Sequence, residues 1–230
     1  MASPRESAGR AVRVLDTAAG RMVAEATARG LARLDQVGPD QDLESWFAVT
    51  HPDDDDEVGG SEPGAAAEHL ARVADQLGAY FAGELREFDV PVDWTAAGVH
   101  DEFSREVYRE IQCIPYGETT SYGQVSVDAG RPRNARRVGR LCTLVPVPFV
   151  IPVHRVIRAD GGMGNCPDFR LRLLEHERRN LTAVAPVPFR NGGTENGGTE
   201  NGGPGNGGIG NGDIENGDIR TTVGSELHRG

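Results

Sequence analysis

The chain of 230 residues has no lysine at all, few aromatic residues (6%) and three cysteines, Cys113, Cys142 and Cys166, none in a Cys-x-x-Cys spacing. An odd, scattered set of thiols supports neither a disulfide framework nor a cysteine-rich zinc site, and reduced thiols are the default reading. No apolar run approaches the ~20 residues of a membrane span. The start, Met1-Ala2-Ser3-Pro4-Arg5-Glu6, lacks an apolar signal core. A soluble, cytoplasmic protein is expected, and a membrane or secreted one is not. There is also no Gly-rich phosphate loop and no cluster of metal ligands, so no cofactor is implied.

What charge there is has an uneven distribution. The net charge of −11 suggests avoidance of nucleic acid, but all 24 cations are Arg and they cluster. Residues 1–97 carry 8 Arg against 19 acids, whereas residues 130–180 carry 11 Arg against 4 acids. The acidic part is a candidate for docking a protein partner, and the basic part is a candidate for phosphate.

Periodicity divides the chain into three parts. In residues 1–97, Val12 to Thr17 and Met22 to Ala26 flank Ala18-Ala19-Gly20-Arg21, and Gly30-Leu31-Ala32-Arg33-Leu34 follows a second turn, which predicts three short strands. Leu70, Val73, Ala74, Leu77 and Phe81 then recur at helical spacing up to Gly83, predicting a helix that covers the sheet. Between them, Asp53-Asp54-Asp55-Asp56-Glu57 reads as a solvated loop, because adjacent like charges cannot all converge on one ion. Residues 98–181 carry a helix with Phe103, Val107, Tyr108 and Ile111 on one face, then two short helices over 120–130 and 132–142 joined by a Gly-containing turn. That pairing is a helix-turn-helix pattern, with Arg133, Arg136, Arg137 and Arg140 assigned to its second helix. On spacing alone those cations serve equally as a solvated face or as a phosphate-binding one. Residues 182–230 repeat Asn-Gly-Gly and Asn-Gly-Asp units with little to bury, and disorder is expected. The fold class is therefore α+β: a small sheet with a helix, followed by a mostly helical, winged helix-turn-helix-like DNA-binding part.

Three stretches in order and spacing sharpen the reading. They are Ile114-Pro115-Tyr116-Gly117-Glu118-Thr119-Thr120-Ser121-Tyr122-Gly123, Asn134-Ala135-Arg136-Arg137-Val138-Gly139-Arg140 and Pro146-Val147-Pro148-Phe149-Val150-Ile151-Pro152-Val153-His154-Arg155-Val156. They resemble the O6-alkylguanine-DNA alkyltransferases, the methylated-DNA-protein-cysteine methyltransferases, closely over residues 85–180 and loosely over 12–83. Within that family the likeness is greatest to the alkyltransferase-like proteins, which lack the acceptor cysteine, because Val153 stands where active members carry it. By that resemblance the family's thiolate would be activated by His154, oriented by Glu177, and no catalytic residue is expected here. His154 can be vestigial support or a structural core histidine.

The resemblance further implies that Arg136 enters duplex DNA from the minor groove and fills the gap left by an extruded nucleotide. Tyr122 would rotate its phosphate, Arg133, Arg137 and Arg140 would hold the backbone, and Cys142, Pro148, Val153 and Val156 would line the base pocket. Two departures stand out. Leu144-Val145 replaces the family's Gly-Asn, and Cys166-Pro167-Asp168-Phe169 replaces its Tyr-Ser-Gly-Gly after Gly164-Asn165, three residues shorter before Glu177. The sequence therefore implies a non-enzymatic, monomeric sensor of alkylated guanine in double-stranded DNA. Two alternatives stay open: a methyltransferase using a displaced thiol, Cys142 or Cys166, and a DNA-binding regulator without lesion recognition.

Overall fold

The computed structural model describes residues 5–7, 9–38, 46 and 63–191. The acidic run at 53–57 and the Asn/Gly repeats beyond 191 lie outside the described residues.

The expected strands are present, with one more before them. β1 (Arg5–Ser7), β2 (Arg10–Thr17), β3 (Gly20–Thr27) and β4 (Gly30–Gln36) form an antiparallel sheet in that order. The pairings Thr17 with Gly20 and Thr27 with Gly30 leave two-residue turns, for which both glycines adopt positive φ. Gly30 is further constrained, because a Cβ there would stand 2.3 Å from the Pro91 carbonyl oxygen. Strand alternation sorts the side chains. Ala11, Leu15, Met22, Ala24 and Leu34 join the main core, while Val12, Val23, Val37 and Trp46 form a small cluster apart from it.

Helix α1 (Pro63–Ala82) covers the main face through Ala66, Leu70, Val73 and Leu77, and contacts β2, β3 and β4. Each such Leu or Val side chain, once buried, contributes on the order of 1.5–3 kcal/mol against exposure. Glycine 83, at φ 84, closes the helix against Asn180, whose side chain holds Val187 and so ties down the segment after the last helix.

The Arg-rich part follows. Helix α2 (Glu102–Gln112) is capped by Asp101, which accepts from the Ser104 N–H at 3.0 Å, and buries Phe103, Val107, Tyr108 and Ile111 as its spacing requires. A two-residue strand β5 (Thr120–Ser121) runs into α3 (Tyr122–Asp128), which Ser121 caps by accepting from Gln124 N–H. Helix α4 (Ala135–Thr143) comes next, then a 3-10 turn (Val153–Arg155), β6 (Val156–Ile157) paired parallel to β5, and α5 (Pro167–Thr182). Two sequence expectations need correction here. Thr120 and Ser121 belong to a strand, not to a helix. The second helix begins at Ala135, so Arg133 precedes it, in the left-handed region at φ 69. A helical turn cannot pass through that conformation.

The sheet and the helical part share one core within a compact unit that runs to Gly192. Leu34 N–H on β4 donates to the Pro146 carbonyl at 2.9 Å, which fixes the sheet beside the loop leading to Val153.

Candidate nucleic-acid interface and base pocket

The turn between α3 and α4 is built from Gly130 (φ 71) and Ser126. Fully buried, Ser126 donates its hydroxyl to the Arg131 carbonyl (2.5 Å) and accepts from Asn134 N–H (2.9 Å), fixing the angle at which α4 leaves. Val125 and Val138 pack underneath at 1% and 0% exposure. With its apolar side so occupied, α4 turns Arg136, Arg137 and Arg140 to solvent, and Arg133 is exposed just before it. Arg133, Arg136 and Arg140 have no hydrogen-bond or ion-pair partner among the described residues. Arg137 differs: it donates to Asp101 at 2.6 Å and lies 4.7 Å over the Phe103 ring. The four cations that the sequence groups together are thus three free and one engaged.

Tyr122 lies half-buried at the start of α3, its ring against Gly139 of α4 and its hydroxyl close to Gly164. A Cβ on Gly164 would stand 2.2 Å from that hydroxyl, so the loop closes over Tyr122 only because residue 164 lacks a side chain.

The loop after α4 leads to Val153. Val147 to Ile151 make a tight turn, Ile151 N–H donating to the Val147 carbonyl at 3.0 Å, with Phe149 held at φ 71. That conformation is costly for an aromatic residue, and edge-on packing of its buried ring against Tyr80 and Phe81 over-determines it. The turn delivers Val153, 6% exposed, onto the 3-10 turn with His154 and Arg155. Val153, Val156 and Cys142 are buried in the same apolar core, and Pro148 is half-buried.

Glu177, wholly buried on α5, gathers the polar groups around that turn. It accepts from His154 Nε2 (2.7 Å), the Tyr80 hydroxyl (2.9 Å), Gly117 N–H (2.8 Å) and the Arg155 guanidinium (2.9 and 3.0 Å). Arg155 also donates to the Ile114 carbonyl at 2.7 Å. Burial by itself would push the Glu177 carboxyl up, but the hydrogen bonds from His154 and Arg155, with the Arg155 charge, outweigh it and hold the pKa at about 2. Burial pushes His154 down, against the pull of Glu177, so the neutral imidazole donates Nε2–H to the carboxylate. Such a pair can orient an imidazole for proton transfer; with Val at 153 the adjoining side chain has no proton to give.

The thiols answer differently. Burial pushes Cys142 up to about 12, against a weaker pull from Arg170, so it stays a neutral thiol. Cys166 is exposed and caps α5 in the left-handed conformation (φ 51), and Cys113 is exposed at the end of α2.

Sequence reasoning missed three side chains that the fold brings to this place: Tyr80, Arg155 and Arg170. Arg170 was legible in principle, since 170, 173, 174 and 177 share the buried face of α5 at helical spacing. Tyr80 had no such signal, being 97 residues from the carboxylate it contacts.

Residues 102–179 match the family described as 6-O-methylguanine DNA methyltransferase, DNA binding domain. A methylated-DNA–protein-cysteine methyltransferase of Mycolicibacterium paratuberculosis is 47% identical over 117 residues, covering 50% of this chain and 68% of that protein. Among solved structures, Mycobacterium tuberculosis O6-methylguanine methyltransferase is similar at 32% identity and a TM-score of 0.56, covering 74% of this chain and 94% of that one. The Mycobacterium tuberculosis protein OGT in complex with DNA is similar at 31% identity and a TM-score of 0.55, covering 76% and 95%.

Proposed function

This chain belongs to the methylated-DNA–protein-cysteine methyltransferase family, and we propose that within it the chain recognises alkylated guanine in duplex DNA without taking the alkyl group. The observation that carries the reading is Val153, buried beside an intact His154–Glu177 pair where the family's thiol would stand. A valine has no lone pair to attack an alkyl carbon, and the buried thiol of Cys142, with its pKa raised to about 12, is no substitute nucleophile.

The binding side is better equipped. Arg136 is exposed and uncommitted on α4, as a side chain must be that enters the duplex and stacks in the gap of an extruded base. Flipping costs a few kcal/mol, and a planar guanidinium recovers part of it by stacking and by hydrogen-bonding the orphan base. Arg133 and Arg140 flank it for backbone contact, and Arg137 adds charge while tied to Asp101. Tyr122 turns the phosphate. Cys142, Pro148, Val153 and Val156 then offer the flipped base an inert wall, and the lesion passes to another repair system. Residues 1–97 support this part, and the chain acts as a monomer.

The test is the affinity of the purified protein for a short duplex with one O6-methylguanine against the same duplex with guanine, at a fixed salt near ~0.1 M, where the Debye length is about 10 Å. Tighter binding to the lesion, abolished in Arg136→Ala, is the expected result. Equal binding to both duplexes would sink the sensing reading and leave a DNA binder of another kind.

A further inference from the structure

Among the described residues two arginines are buried, Arg155 and Arg170, and the first has a counter-charge there while the second does not. Arg155, 5% exposed, is neutralised by Glu177. Arg170, 7% exposed, donates from Nη2 to the Cys142 carbonyl at 3.0 Å and from Nη1 to the Tyr122 hydroxyl at 3.4 Å, and both partners are neutral. No carboxylate stands within ion-pair distance of Arg170 among the described residues. A buried cation without an anion is costly, and the fold retains it where a base-flipping protein would receive its nucleotide.

We propose that Arg170 is the anion-binding residue of this pocket and that its guanidinium receives an oxyanion carried by the extruded nucleotide, from the backbone phosphate or from a carboxylate on the O6 substituent. The proposal rests on the lesion-sensing reading above and names what the pocket selects.

The surroundings suit that role. Arginine has five N–H donors in a fixed fork, and the two contacts leave others for a ligand. The Tyr122 hydroxyl, by accepting from Arg170, keeps its own proton to donate, so the pair presents donors of both kinds to one oxyanion. Gly164 permits this closeness, since a Cβ there would lie 3.1 Å from Arg170 Nη1 as well as against the tyrosine oxygen. Pro167 is the first residue of α5, and α5 carries Arg170 inward. Phe169 anchors that start by edge-on contacts with Phe149 and Phe189.

The experiment measures the affinity of the full chain and of Arg170→Met and Arg170→Lys for four duplexes: guanine, O6-methylguanine, O6-carboxymethylguanine, and O6-methylguanine with neutral methylphosphonates flanking the lesion. Loss of a charge-assisted contact predicts roughly tenfold or more weaker binding for Arg170→Met, largely recovered in Arg170→Lys. If the phosphate is the ligand, the loss extends to every duplex with native phosphates, the salt slope falls by about one, and the wild type loses a similar factor on the methylphosphonate duplex. If the adduct is the ligand, the loss is confined to O6-carboxymethylguanine. Wild-type affinity for all duplexes in Arg170→Met overturns the proposal. Should that variant fail to fold, indifference of the wild type to both the methylphosphonates and the carboxymethyl group overturns it equally. The two readings fail separately: equal wild-type binding to guanine and O6-methylguanine removes lesion sensing, whereas lesion preference with no effect at Arg170 removes only this inference.

Discussion

Arg136 and Arg140 stand exposed on α4 without a partner among the described residues, while Arg155, a short way along the chain, is buried and donates to Glu177 and to the Ile114 carbonyl. The two regions carry the same residue type to opposite ends. The Arg136 and Arg140 guanidinium groups are held only by their backbone, so their hydrogen bonds remain to be made with a ligand. Around Glu177 the donors of Tyr80, Gly117, His154 and Arg155 converge on one carboxylate, which joins α1, α5, the 3-10 turn and the Gly117 backbone. The carboxylate that orients His154 is therefore also a clamp on the fold.

Breaking the clamp has the largest expected effect. Glu177→Ala strands a buried Arg155 and is expected to cost about 3–5 kcal/mol of stability in urea unfolding, because an unpaired buried charge remains. Acid reaches the same carboxylate more gently. The folded pKa of about 2 lies below the ordinary 4.5, so its contribution is fully present above about pH 4.5 and is lost as pH falls toward 2. That contribution is on the order of 3 kcal/mol at neutral pH. His154, held neutral by burial, adds a loss of the same sign that begins as pH falls through the ordinary histidine value of 6.5. Urea midpoints measured from pH 7 down to pH 2 should fall throughout, and an acid limb unchanged in Glu177→Gln would remove the carboxylate as its cause.

Asp101 lies between the two regimes, since it both caps α2 and engages Arg137. Asp101→Ala is expected to lower stability by about 1 kcal/mol through the lost cap. Freed of its partner, Arg137 should at the same time tighten binding to any duplex by roughly twofold to threefold, in line with the modest worth of an exposed ion pair. Thermal melting and a binding titration on the same variant would therefore move in opposite directions; weaker binding would mean that Arg137 serves the DNA best where Asp101 holds it.

The same division explains what the sequence disclosed. Local chemistry was legible: glycine turns with alternating residues marked β2 to β4, and spacing at 70, 73, 77 and 81 marked α1. Strand β1, three polar residues, has no period to read. Arg133 was misplaced onto α4 because a cation at helical spacing looks the same whether or not its backbone is helical, and only the φ of 69 separates them. The exposed cations of α4 were visible as a cluster, but which of them is engaged depends on Asp101, 36 residues away. The clamp was half visible, since His154 and Glu177 follow a motif while Tyr80 lies 97 residues from Glu177 along the chain.

The most direct test of recognition without transfer follows the methyl group itself. The protein is incubated in excess with a duplex carrying O6-methylguanine, and then both the intact protein mass and the recovered base are analysed. Unmodified protein together with intact O6-methylguanine in a bound duplex is the result expected of Val153 beside His154. A stoichiometric methyl adduct on Cys142 or Cys166, with guanine recovered in the DNA, would contradict it.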